Sequence, residues 1–212
     1  MKSHTHIGFW VMLTLVSLFI APMFIGAQRM QSQLEREIAG MRQVFGVGIS
    51  NVIVRGANSA HAVFSEFGGD DAILGQVHTQ KQREDAKKYM SVTGELLADT
   101  ADAYFNSLAI QAYSMALRLL AVAAWLILLS PFIVAAVVDG VSARNAKLSE
   151  FGYQNPTAFA IAIHTVILLS GLPLLYVTLP FAITPMFMPW WALLSALPAA
   201  FAISHAQPIL TR

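Results

Sequence analysis

Four apolar stretches separated by polar ones of unequal length set the pattern of this chain of 212 residues. The clearest runs from Leu119 to Val138, LLAVAAWLILLSPFIVAAVV, and stops at Asp139-Gly140. About 20 apolar residues rising about 1.5 Å each cover the roughly 30 Å hydrocarbon layer of a bilayer, so this run predicts a transmembrane helix. Ile7 to Ala27 predicts a second. Its apolar run is longer than a secretory signal core of roughly 7 to 15 residues, which favours an uncleaved anchor even though Ile25-Gly26-Ala27 resembles a weak cleavage site. Thr157 to Val177 predicts a third span and Pro189 to Ser204 a fourth. Between them, TLPFAITPMFM (Thr178 to Met188) carries no charge. It is too short to cross and too apolar for an exposed loop, which predicts a segment lying in the interface or dipping back, buried against protein.

The long polar stretch from Gln28 to Tyr113 holds 8 of the 13 Lys and Arg residues and 10 of the 12 acidic ones. Met30, Leu34, Ile38, Met41 and Phe45 recur at steps of four, four, three and four, one apolar stripe of an amphipathic helix, with Glu35, Arg36 and Arg42 elsewhere on the wheel. Gly46, Gly48 and Gly56 interrupt the pattern, and Ile49 to Val54 is β-branched; helix is favoured there over a short strand. Gly68-Gly69-Asp70-Asp71 predicts a chain reversal. Tyr89, Val92, Leu96, Ala103, Tyr104 and Leu108 then return at near-helical spacing. Two amphipathic stretches that each need a partner predict an antiparallel helical hairpin. The expected fold is thus all-α with four transmembrane helices: an anchor at 1–27, a periplasmic, mostly helical domain at 28–113, a second span at 114–138, a cytoplasmic loop at 139–156 and a two-helix hairpin at 157–212.

Composition narrows the function classes. With 56% hydrophobic and 12% charged residues, the chain lies far from the roughly 25% charge of a soluble domain and is expected to contact membrane lipids. A net charge of +1 with no cluster of cations argues against direct nucleic-acid binding. The chain has no cysteine, which excludes thiolate chemistry and Cys-based metal sites. Lys2, Arg144, Lys147 and Arg212 share one side if there are four spans, so the positive-inside rule places both termini in the cytoplasm of a bacterial inner membrane. Trp190, Trp191 and Tyr176 fit an aromatic belt at the outer interface, Phe9 and Trp10 one at the inner.

Candidate chemistry is sparse. His4 and His6 sit on a chain end, and His61 and His78 lack any ligand spacing, so a solvated surface is favoured over a metal site. His164 lies inside a predicted span, where bonding to a neighbouring helix is favoured over proton relay. Pro22, Pro131, Pro173 and Pro198 read as kinks. No acid or base interrupts an apolar core, which argues against an ion-coupled transporter, and no triad or phosphate loop is visible. The expectation is a protein that is not an enzyme and holds no cofactor or metal. Ala162, Ser170 and Gly171 suit a helix interface within or between chains, leaving an oligomer open.

From about Ile133 onward the chain resembles the DUF4400 membrane proteins of integrating conjugative elements and conjugative plasmids. Val138, Asp139 and Gly140 match that family's span-ending motif, Arg144 its basic position, Phe151 and Gly152 its turn, and Leu179-Pro180 the link between its last two spans. The resemblance covers about 75 residues. Where the family carries a more basic loop and a His or Lys soon after the turn, this chain has only Lys147 and His164. The resemblance implies an inner-membrane component of a conjugative DNA-transfer apparatus, a scaffold that meets the coupling ATPase or type IV secretion subunits through the loop at 139–155 and the hairpin. An entry-exclusion or sensor protein, and a small transporter or channel, are the alternatives.

Overall fold

The computed structural model describes residues 4–149 and 155–206, with side chains throughout these except at 4–6 and 86–95. Among the described residues every regular element is a helix: α1 (His4–Leu15), a π-helical turn (Val16–Ile20), α2 (Ala21–Phe24), α3 (Ala27–Glu66), α4 (Gly69–Leu74), α5 (Gln80–Ser149), α6 (Pro156–Ser170), α7 (Leu172–Thr178) and α8 (Phe187–His205). Four stretches are long and apolar enough to cross a membrane: Ile7–Phe24, part of Leu96–Ser149, Pro156–Thr178 and Phe187–His205. The polar segment after Val138 continues α5 to Ser149 and does not open into a loop at Asp139. The chain divides into two compact units.

One unit comprises Met12–Ala121 with Leu175–Pro185. Its π-helical turn sits just before Pro22, which has no N–H to give and whose ring crowds the carbonyl a turn earlier, so the ladder widens locally. Gly26 is extended and ends this first segment. α3 is then two limbs, 27–45 and 47–66, broken at Gly46 (φ 76°, ψ 169°), a conformation open to glycine alone. Glu37 bonds to Arg118, and Gly56 lies so close to Leu120 that an added Cβ would stand 2.9 Å from its methyl. A straight helix would separate Glu37 and Gly56 by about 28 Å, yet they meet α5 two residues apart, so the limbs fold back on each other at Gly46. This reversal is additional to the one at Gly68 (φ 78°). Packing thus turned the interruption of the apolar stripe into a hairpin, and Ile49 to Val54 is helical. α5 is itself not one straight rod: Arg83 Nη1 lies 3.2 Å from Asp99 Oδ1, where sixteen residues of straight helix would span about 24 Å.

The other unit comprises Met1–Val11, Val122–Leu174 and Met186–Arg212. The Asn155 side chain caps α6, its oxygen accepting from the amides of Thr157 (3.0 Å) and Ala158 (3.2 Å), with Pro156 at the first helical position. α6 packs along α8, where the Trp191 indole donates to the Leu169 carbonyl at 2.8 Å. Small residues let backbones close up. A Cβ on Gly140 would stand 2.8 Å from the Ala200 oxygen and 3.0 Å from Ile203 Cβ, and one on Gly171 would stand 2.1 Å from the Trp10 ring.

Candidate functional site

The strongest polar cluster is built on α5. Ser107, Gln111, Ser114 and Arg118 follow one another at steps of four, three and four, one helical row just ahead of the apolar run at Leu119. Ser107, Gln111 and Arg118 are buried. Charged and amide groups persist in such a place only with partners, and the donor groups of each find them, while Gln111 Oε1 is buried without one. Arg118 meets Glu37 as a two-pronged fork, Nε to Oε2 at 3.0 Å and Nη2 to Oε1. Its remaining N–H groups go to the end of α7 and the chain just after it, donating to the carbonyls of Tyr176 (3.0 Å), Leu179 and Phe181 (2.6 Å). Gln111 Nε2 donates to the carbonyls of Thr178 (2.8 Å) and Ser17 (3.2 Å), and Ser17 Oγ donates to Thr178 O at 2.9 Å. The carbonyls of Thr178, Leu179 and Phe181 at the start of the apolar link are thus met by side chains of α5 and of the first predicted span, which is how non-helical backbone is tolerated in apolar surroundings. Thr178, Pro180 and Pro185 are buried, while Phe181, Ala182 and Thr184 are exposed, so the link is covered by protein along only part of its length.

Burial is the largest influence on Glu37 and pushes its carboxyl above the ordinary range; the hydrogen bonds and charge of Arg118, and the Ile183 amide, pull the other way. The Tyr176 ring lies 5.8 Å from the Arg118 guanidinium and is 1% exposed. It therefore belongs to the core of this cluster and not to an aromatic belt. A second cluster pins the turn before α5. The His78 amide and ring both bond Asp102 (2.7 and 2.9 Å), and Arg83 joins the same carboxylate. His78 is thus a structural partner of a buried acid, a role that its sequence surroundings did not announce.

The residues expected to mark the family lie in the other unit. Val138 and Asp139 are exposed on α5, Gly140 is packed against α8, and Arg144 is half-buried one turn further on. Lys147 reaches the end of α8, with Nζ 3.1 Å from His205 Nε2 and 3.4 Å from the Ser204 carbonyl. A cation there complements the helix C-terminus. His205 Nδ1 stands 3.0 Å from the Phe201 carbonyl, so a proton on Nδ1 leaves Nε2 free to accept from Lys147. His164 is half-buried in α6, in the predicted span. Phe151 and Gly152 lie outside the described residues. Gly140, Arg144 and Lys147 therefore lie along the last turns of α5, with Gly140 and Lys147 fixed on α8, while His164 stands on a separate element. Among the described residues no group of His, Asp and Glu is arranged to hold a metal ion.

A family model described as IncC plasmid conjugative DNA transfer protein DtrJ-like matches residues 21–211. The chain belongs to the DtrJ-like family. The match takes in both units, the Arg118 cluster and the 138–147 segment together, whereas the resemblance to the DUF4400 proteins rested on about 75 residues from Ile133 onward, and the family matched is the DtrJ-like one. Membership places the chain in conjugative DNA transfer, the process that resemblance implied. No curated protein and no solved structure matches it.

Glu37 and Arg118 were missed as partners, although a signal for both exists. Glu37 stands three residues after Leu34 and four before Met41, in phase with the buried positions Met30 and Met41. Arg118 continues the row from Ser107. A charge in phase on each of two helices is the trace of a buried pair.

Proposed function

We propose that this chain is a non-enzymatic inner-membrane scaffold of a conjugative DNA-transfer apparatus, holding secretion or coupling subunits together while its own helices are locked by internal polar pairs. The observation that carries the reading is the family match over residues 21–211. Four stretches of spanning length and apolarity support a multi-pass membrane protein. Arg144 and Lys147, close after the apolar run of α5, favour a cytoplasmic location for that end by the positive-inside rule, and with it cytoplasmic termini. The buried charges Glu37 and Arg118 are engaged with the chain itself, as suits a structural part better than a catalytic one. Its partners are other subunits of the transfer machinery, including the type IV secretion channel or the coupling ATPase. Affinity isolation of the full chain from detergent-solubilised donor membranes during active transfer tests this. Co-isolation of secretion or coupling subunits is expected. Recovery of the chain without any of them contradicts the reading.

A further inference from the structure

The two limbs of α3 meet at a tip whose composition differs from the rest of the polar region. Residues 44–54 read VFGVGISNVIV, without a charge, between Arg42 and Arg55. Val47 is 65% and Val52 60% exposed, and Ile49 is exposed beside them. Placed in water, this would be an apolar patch without cover.

The direction of the limbs says where the tip points. Along the first limb, the carbonyl of Ile25, just before it, meets Ser107, and Glu37 meets Arg118, so the limb advances with rising α5 number. Along the second, Asn58 meets Tyr113 (2.6 Å) and Gly56 meets Leu120, so this limb too advances along α5 in the direction of the tip. Gly56 is already level with the first residues of the apolar run of α5. About nine residues of the limb, roughly 14 Å of helix, lie between it and Val47. The tip is therefore directed to the side on which α5 becomes apolar, and away from the reversal at Gly68.

We propose that the Gly46 hairpin is a re-entrant element whose tip inserts into the bilayer, its occupant being lipid acyl chains packed on Val47, Ile49 and Val52. Helical limbs satisfy their own backbone along their length, which leaves only the turns flanking Gly46 with groups to pair at depth. Arg42 and Arg55, at the two borders of the apolar stretch, have the reach to lay their stems along it and return their guanidinium groups to lipid phosphates. The polar stretch is then a membrane-seated body with one end in the bilayer and Phe67 at the other.

Because the chain contains no cysteine, Val47→Cys, Val52→Cys and Phe67→Cys can each carry one environment-sensitive fluorophore in the full chain, reconstituted in phosphatidylethanolamine and phosphatidylglycerol vesicles. Quenching by a spin label on the lipid acyl chain is compared with quenching by aqueous iodide. At positions 47 and 52, lipid quenching is expected to exceed iodide quenching several-fold, with the order reversed at 67, which is 86% exposed. Iodide quenching at 47 and 52 equal to that at 67 overturns the proposal. So does protection from both quenchers, which would mean that a second copy or another protein covers the tip.

Discussion

The two units of this chain hold their helices by different means. In the unit around Arg118, side chains from α3 and α5 take up charges and carbonyls that would otherwise be buried without partners. In the other, helices approach through glycine and alanine, with polar contacts from Trp191 to α6 and from Lys147 to the end of α8. The difference follows from what each must bury. Residues 179–185 are non-helical and need donors for their carbonyls, whereas α6 and α8 pair most of their backbone within themselves and rely chiefly on shape. A polar network fixes one arrangement at the risk of heavy loss if a member is removed, while close packing spreads a smaller risk over several positions.

The largest expected effect comes from Arg118→Leu. It leaves Glu37 buried without its cation and three carbonyls without a donor, a loss of about 3–5 kcal/mol on the scale of broken buried pairs. Thermal unfolding in detergent reads it. The variant also carries a pH signature. Burial raises Glu37 above its unfolded value of about 4.3, and the leading influences that oppose this come from Arg118. A raised carboxyl favours the fold in its neutral form, a contribution present below the unfolded value and lost as pH rises through the folded one. Arg118→Leu should therefore regain stability on acidification from about pH 7 to 5, relative to the parent chain. A flat difference across that range would show that Glu37 is not left in an apolar site.

Smaller losses are expected from backbone and packing changes. Gly46→Val forces a β-branched residue into a glycine-only conformation and should cost about 1–3 kcal/mol. Gly140→Leu must push α5 away from Ala200 and Ile203, for a loss also of about 1–3 kcal/mol. The two separate the units by mechanism: at Gly140 the obstacle is space, met already by the Cβ of Gly140→Ala and growing from Ala to Leu, whereas at Gly46 it is φ, so Gly46→Ala should cost nearly as much as Gly46→Val. Least affected is Lys147→Ala, at or below about 1 kcal/mol, since Lys147 is only half-buried and its bonds are long. A loss above 3 kcal/mol there would make the second unit as dependent on polar contacts as the first.

Much of this was legible in the residues. Runs such as Leu119 to Val138 announce spans by length alone, and the row Met30, Leu34 and Met41 announces a helix. Gly46 could be read as an interruption but not as a reversal, because whether a glycine pauses a helix or folds it back depends on what the two limbs then pack against. Glu37 is a charge next to Ile38, which carries the apolar stripe in sequence; only the partner on α5 explains its burial. Arg118 stands directly before the apolar run, where a cation is expected as its border, although the same residue closes the row from Ser107. The link at 178–185 was readable as uncharged, and Thr178, Pro180 and Pro185 within it are buried, while the donors that meet its carbonyls lie more than 60 residues away in sequence.

A double-mutant cycle on Glu37→Gln and Arg118→Met, followed by unfolding of the full chain in detergent, tests most directly whether one buried pair organises the Arg118 unit. Coupling of at least about 1 kcal/mol between the two changes is expected. Additivity within about 0.5 kcal/mol would contradict it, leaving Arg118 as a donor to the 176–181 carbonyls that does not depend on Glu37.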